Sequence, residues 1–106
     1  MKPGFTYILV NKNNTTLYVG VTANIVGRIQ QHKEKYNPKS FTARYNLNKL
    51  VYYEAFHWIG DTIAREKQLK AGNRTKKEAL INSINPGWND LFQEVREHFS
   101  NPQAPE

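Results

Sequence analysis

Cysteine is absent from the 106 residues, which excludes a disulfide scaffold, a thiolate zinc site and a cysteine nucleophile together. Aspartate is scarce. Asp61 and Asp90 are the only two, with no Asp-x-Asp or Asp-x-Glu pair, so a two-metal centre, which needs several converging carboxylates, is disfavoured. His32, His57 and His98 stand at no ligand-like spacing, and a histidine-only zinc site is not expected. No apolar run is long enough to span a bilayer and no signal-peptide pattern opens the chain, so a cytoplasmic protein is the expectation. Gly-rich phosphate loops, zinc fingers and helix-turn-helix signatures are also missing, which leaves sequence-specific base reading without a carrier.

Positive charge, by contrast, is plentiful. A formal net charge of +6 and a pI near 9.7 favour a polyanionic partner, although charge alone suits an anionic membrane surface as well. The length fits one domain, expected over residues 1–100, with a flexible Pro-containing tail over 101–106.

Two β-rich runs, Phe5 to Asn11 and Thr16 to Val21, flank an Asn-rich turn and read as a hairpin. A turn centred between Lys12 and Asn13 sets Tyr7 opposite Tyr18 and Phe5 opposite Gly20. Alternation then puts Tyr7, Leu9, Tyr18 and Gly20 on one face, and Ile8, Val10, Leu17 and Val19 on the other. The following segment, roughly Asn24 to Tyr36, has helical spacing, with Thr22 or Asn24 as N-cap and an apolar stripe of Ile25, Ile29 and Tyr36. Arg28 and His32 fall on that same core-facing side. Such a break in binary patterning marks a candidate site. Taken singly, each residue has an ordinary explanation: a cross-strand aromatic pair, a snorkelling arginine, a surface histidine. Their convergence by register and helix geometry does not.

Downstream, Asn37 to Asn46 reads as a loop and Lys49 to Trp58 as a third strand, bulky on both faces. Gly60 breaks that strand. Asp61 can cap a helix ending at Ala71 before Gly72, Thr75 and Glu78 form a capping-box pattern for a helix to Ile84, and Asp90 to Phe99 is a last helix. The expected architecture is α/β (α+β): a small three-stranded antiparallel sheet flanked by helices, in the order β-β-α-β-α-α.

Phe5-Thr6-Tyr7, then Tyr18-Val19-Gly20, then an Arg and a His four apart resemble the GIY-YIG nuclease superfamily. Ala64 to Lys70 resembles the family's helix with a metal-binding glutamate, and Asn85-Pro86-Gly87-Trp88-Asn89 its closing segment. The likeness runs from Phe5 to Asn89 and is closest to the short stand-alone proteins of bacteria. Phe5-Thr6 departs from the name-giving Gly-Ile, while the tyrosine is kept.

The resemblance implies a metal-dependent endonuclease acting on DNA, in repair or recombination. Tyr7 or Tyr18, with its phenol pKa lowered by neighbouring cations, would serve as base; the family favours Tyr7, and the sequence separates neither. His32 would relay the proton and Arg28 would hold a phosphate oxygen. Glu66 is the candidate ligand for one Mg²⁺ or Mn²⁺ ion, the ordinary alternative being an ion pair with Lys70. Asn89 is the final polar candidate, with Asn85 competing. The stretch Arg65 to Lys77 carries six basic residues against one acid, so phosphate contacts are expected at Arg28, Lys33, Lys67, Lys70, Arg74 and Lys77, all bordering one pocket. Larger family members borrow specificity from an attached domain, and a protein partner would supply it here. A module that binds nucleic acid without cutting it is the alternative.

Overall fold

The computed structural model describes residues 2–99, so the expected tail over 101–106 lies outside the described residues. Three antiparallel strands are laid out in the order β2-β1-β3: β1 Gly4–Val10, β2 Leu17–Thr22 and β3 Lys49–Phe56. The helices are α1 Ile25–Lys33, the short α2 Phe41–Arg44, α3 Ile59–Ala71, α4 Arg74–Ile84 and α5 Phe92–Phe99. Because strand side chains alternate, β1 feeds two cores. Tyr7 and Leu9 point to one side and pack with Ile25 and Ile29 of α1, Leu47, Leu50 and Val95 of α5. Ile8 and Val10 point to the other and pack with Val19, Val51, Tyr52, Leu69 of α3 and Ile81 of α4. The result is a three-layer α+β sandwich.

The hairpin register differs from expectation by two residues: Tyr7 faces Gly20, Leu9 faces Tyr18 and Phe5 faces Thr22. The loop is the cause. It runs from Asn11 to Thr16, and the Asn11 side-chain oxygen accepts the Thr15 and Thr16 amides at 2.8 and 3.0 Å, while Asn14 takes φ 60°. A displacement of two residues leaves every side chain on its expected face, since the side-chain period is also two.

Helix α1 is shorter than its apolar spacing suggests. Asn24 is its N-cap, accepting the Gly27 amide at 3.0 Å. Lys35 at φ 53° turns the chain away, and Tyr36 is 74% exposed instead of completing the stripe. The expected loop from Asn37 to Asn46 contains α2, capped by Ser40, whose Oγ accepts the Ala43 amide at 3.2 Å. Strand β3 ends at Phe56, and Trp58, not Asp61, is the N-cap of α3, so Gly60 lies within its first turn. Asn73, not Thr75, caps α4.

The C-terminal segment is tied to the sheet by two side chains. Asp90 accepts the Leu50 amide at 3.2 Å and pairs with Lys33 of α1 at 2.5 Å. Asn85, buried, donates to the carbonyls of Val51 at 3.1 Å and Asn89 at 2.9 Å and accepts the Asn89 amide at 3.1 Å. Replacing Asn85 with Ala leaves these groups without partners inside the protein. We expect it to cost about 2–3 kcal/mol, read from the urea midpoint at neutral pH.

Candidate active site

Tyr7 sits on the central strand with its ring wholly buried, which forces its hydroxyl to find a partner. That partner is His32, one helical turn beyond Arg28 on α1. The Tyr7 Oη to His32 Nε2 distance is 3.0 Å. On the far side of the imidazole, Nδ1 lies 3.0 Å from Thr42 Oγ1, and Thr42 Oγ1 lies 3.2 Å from Ser40 Oγ. Tyr18 completes the group. Ring centroids are 6.4 Å apart for Tyr7 and Tyr18, 5.9 Å for Tyr7 and His32, and 6.0 Å for Tyr18 and His32. Tyr18, Arg28, His32 and Thr42 line a cavity of about 300 Å³, along with Lys35, Tyr36, Ser40 and Phe41.

Gly20 makes room for this arrangement. It is the cross-strand partner of Tyr7, and a Cβ there would stand 2.6 Å from Tyr7 Cζ and Oη and 2.9 Å from Tyr18 Cε2. The observed register therefore explains the glycine after Tyr18-Val19, which the expected register left opposite Phe5. Gly20→Ala must push the phenol off His32. We expect it to abolish the Tyr7–His32 hydrogen bond, seen as loss of the protected Tyr7 hydroxyl proton resonance, while far-UV circular dichroism is unchanged.

Electrostatics reverse one expectation. The Tyr7 phenol is not acidified: burial, then the Tyr18 phenol, push its pKa well above the ordinary value, Arg28 opposes through charge and hydrogen bonding, and the Glu66 carboxylate adds a further upward push. Desolvation of a phenolate outweighs the nearby cation. His32 moves the other way, down to about 4, through burial and then the Arg28 charge. At neutral pH the pair is thus a protonated phenol and a neutral imidazole. The Arg28 charge near the phenol oxygen favours Tyr7 giving its O–H to Nε2, which leaves Nδ1–H to donate to Thr42.

Thr42 was not among the residues singled out from sequence. It lies in a segment that reads as a loop, and nothing in a Ser-x-Thr pattern marks contact with a histidine ten positions earlier. Buried on α2, it gives the imidazole Nδ1 a hydrogen-bond partner and holds the ring in place.

Glu66 does not line the cavity. It projects from α3 with its side chain 18% exposed and pairs with Lys70 at 2.9 Å, while acting on the Tyr7 phenol through space. Asn89 is not brought to the site either: it is exposed, and its backbone is held by Asn85 against β3. Asn85 itself is a structural bracket. Glu54 is engaged by the Tyr52 hydroxyl and by Arg65 Nε at 3.0 Å.

The expected phosphate surface is largely committed to holding the fold. Lys33 binds Asp90 and the Asn48 carbonyl, the latter at 2.8 Å. Lys70 binds Glu66. Arg74 binds Glu78 and the carbonyls of Thr15 and Asn14, and so pins the hairpin loop to α4. Lys77 donates to the Gly72 carbonyl at 2.5 Å. Lys76 and Lys77 border a separate cavity with Arg65 and Leu80, so the two basic clusters do not share one pocket. Arg28 and Lys35 are the cations at the Tyr18 cavity.

Residues 3–79 match the family model of the GIY-YIG catalytic domain. The chain belongs to the GIY-YIG family. Within this nuclease superfamily it is similar to UPF0213 proteins: 37% identical over 82 residues to one from Syntrophus aciditrophicus (strain SB), covering 76% of this chain and 92% of that one. Against one from Pediococcus pentosaceus the figures are 31% over 74 residues, 70% and 77%. A UPF0213 protein from the VLF1-GP41 intergenic region of Autographa californica nuclear polyhedrosis virus is 41% identical over 59 residues, 56% of this chain and 55% of that one. The solution NMR structure of a UPF0213 protein from Bacillus halodurans superimposes with a TM-score of 0.51 at 25% identity, covering 94% of this chain and 99% of that chain. That coverage matters because the catalytic-domain match stops at residue 79, whereas α5 supplies Val95 to the core. In this chain the fold continues past the matched segment to α5, which packs into the same core.

GIY-YIG nucleases are generally dependent on a divalent metal. Among the described residues no group of three His, Asp or Glu converges on one point. One partly buried carboxylate does stand near the Tyr7 phenol. Its partner Lys70 is 53% exposed. This donor set fits a hard cation such as Mg²⁺, which keeps most of its waters and takes one or two carboxylates plus substrate phosphate.

The depressed His32 pKa has a stability consequence. The unfolded histidine binds its proton near 6.5, the folded one near 4. Between those values the unfolded state holds more protons, so this contribution is complete above 6.5 and is lost as pH falls toward 4. His32→Gln should flatten the acid side of the stability profile in that window, measured by urea denaturation at pH 7, 5.5 and 4.5 (values on the order of one pH unit apart, matching the window).

Proposed function

We propose that this chain is a divalent-metal-dependent endonuclease that hydrolyses phosphodiester bonds in DNA, with Tyr7 and His32 acting together as its base. The observation that carries the reading is the line of short contacts from Tyr7 through His32 to Thr42 beside the Arg28 guanidinium. A phenol that keeps its proton cannot act as a free phenolate. Once substrate seated at the Tyr18 cavity brings the attacking water to this buried phenol, Tyr7 takes the water's proton while giving its own to the Nε2 lone pair of neutral His32, so that only the imidazole gains charge. Thr42 accepts from Nδ1–H and steadies the resulting imidazolium. Arg28 supplies a planar fork of donors for the non-bridging oxygens, on which charge grows as the phosphorus becomes five-coordinate. Tyr18 is placed to orient the water or the phosphate. Glu66 would hold the Mg²⁺ or Mn²⁺ ion, whose chemistry is to withdraw charge from phosphate oxygens and stabilise the leaving 3′ oxygen.

The setting we propose is DNA repair or recombination in the cytoplasm, with sequence or structure preference supplied in part by a protein partner. No helix of the described residues is long and apolar enough to cross a membrane. The engagement of Lys33, Lys70, Arg74 and Lys77 within the fold favours a modest footprint on DNA centred on Arg28 and Lys35.

Single-turnover cleavage beside equilibrium binding tests the mechanism. Tyr7→Phe keeps the ring and removes the relay oxygen, and should slow cleavage about 100-fold or more with DNA affinity almost unchanged. Glu66→Ala should abolish metal-dependent cleavage while leaving the thermal midpoint within a few degrees, because an exposed-partner ion pair stabilises little. Wild-type rates in both variants would remove this site. Binding without any cutting by the wild type would instead assign a nucleic-acid-binding module.

A further inference from the structure

Beyond Tyr18, the cavity opens past α2 onto aromatic rings that the proton relay does not use. Phe41 lies 6.4 Å from Tyr18 with 32° between planes, and Tyr45 lies 4.7 Å from Phe41. Phe41 and Tyr45 are each 48% exposed, and Tyr36, which also lines the cavity, is 74% exposed. Packing does not account for them. The inward positions of α2 are filled by Thr42 and Ala43, both buried, and the rings are left facing water. A solvent-facing row of large rings forgoes the burial that stabilises aromatics elsewhere in the chain.

The charge lining the cavity is of one sign. Arg28 and Lys35 line the cavity and no acidic side chain does, while the Arg44 guanidinium lies over the Tyr45 ring at 5.9 Å. Aromatic rings set along a cationic groove are the features that hold unpaired bases, because every base has a π-face to stack and every nucleotide a phosphate. In a duplex those faces are already stacked on neighbouring bases. A single strand, a flap or a frayed end presents them freely.

We propose that Phe41, Tyr45 and Tyr36 form a stacking platform for unpaired bases of a DNA strand, placed so that the adjoining phosphate reaches Arg28 and Tyr7. The placement of that phosphate rests on the nuclease reading above, whereas the stacking can be tested with no cleavage at all. The same platform makes single-stranded or branched DNA the substrate class, since continuous duplex leaves the rings unused.

The test uses the full chain in EDTA, so that nothing is cut, with a short oligodeoxynucleotide carrying 2-aminopurine, its duplex, and an oligoribonucleotide of the same sequence. Wild-type protein should quench the 2-aminopurine fluorescence of the single strand and bind that strand more tightly than the duplex. The double variant Phe41→Ala, Tyr45→Ala should weaken single-strand binding about 10- to 100-fold and lower the ratio of duplex to single-strand dissociation constants. Phe41→Leu with Tyr45→Leu retains apolar bulk without a π-face, guards against a folding artefact, and should weaken it comparably. An unchanged ratio in both double variants, or no quenching by the wild type, overturns the platform. Tighter binding of the ribonucleotide strand overturns its assignment to DNA. Cleavage assays then separate the two readings: quenching without any cutting removes the nuclease and leaves the platform, and cutting that is indifferent to strandedness with an unchanged ratio does the reverse.

Discussion

The hydrogen bond between Tyr7 and His32 is the constraint from which the rest of the site follows. A phenol buried on the central strand cannot leave its hydroxyl unpaired without a penalty of one to several kcal/mol, on the order of a buried unsatisfied polar group. Its partner has to come from the helix that covers that face, which fixes the rotation of α1 and with it the position of Arg28. The imidazole in turn needs a partner for its other nitrogen, and the short α2 exists to present one. Gly20 is the fourth part of this arrangement: only a residue with no side chain lets the Tyr7 ring lie across β2. Four elements are therefore set by the needs of one hydroxyl.

That chain of needs also decides the electrostatics. Arg28 alone would acidify a phenol, and an exposed Tyr beside it would be a reasonable phenolate. Burial on β1 reverses the sign, because the energy of stripping water from an anion exceeds what one partly solvated guanidinium returns. The same burial and the same guanidinium keep His32 neutral and therefore able to accept. The phenol thus holds its proton tightly while the imidazole stays neutral with a lone pair to offer, a division of labour that neither residue type would show in isolation.

What was legible in the sequence was parity, periodicity and composition. Strand alternation placed Tyr7 and Tyr18 on one face even though the register was displaced, since an error of two residues is invisible to a period of two. The exact pairing depended on the Asn11 side chain and on Asn14 at positive φ, which set the loop length and have no signature distinguishable from other Asn-rich turns. Helix α2 was missed because four residues are too few to show a period, and Thr42 was missed with it. Counting basic residues gave the sign of the partner but not the surface, because Arg74 and Lys77 spend their donors on carbonyls of the fold that no local pattern reveals. Glu66 could be proposed from a family motif, and the ordinary Glu66–Lys70 pair that accompanies it is equally present.

The strut from α1 to the C-terminal segment has an implication for how the molecule comes into being. Lys33 and Asp90 are 57 positions apart, and the hydrophobic contact of α1 with α5 spans a similar stretch of chain. During synthesis both tyrosines, Arg28 and His32 are made well before the helix that braces α1. A nascent chain therefore carries Tyr7, Tyr18, Arg28 and His32 while lacking the support that holds Arg28 and His32 in line. Alignment of Arg28 with His32 arrives late, coupled to completion of the core, and an interrupted product is left with the motif but without its alignment.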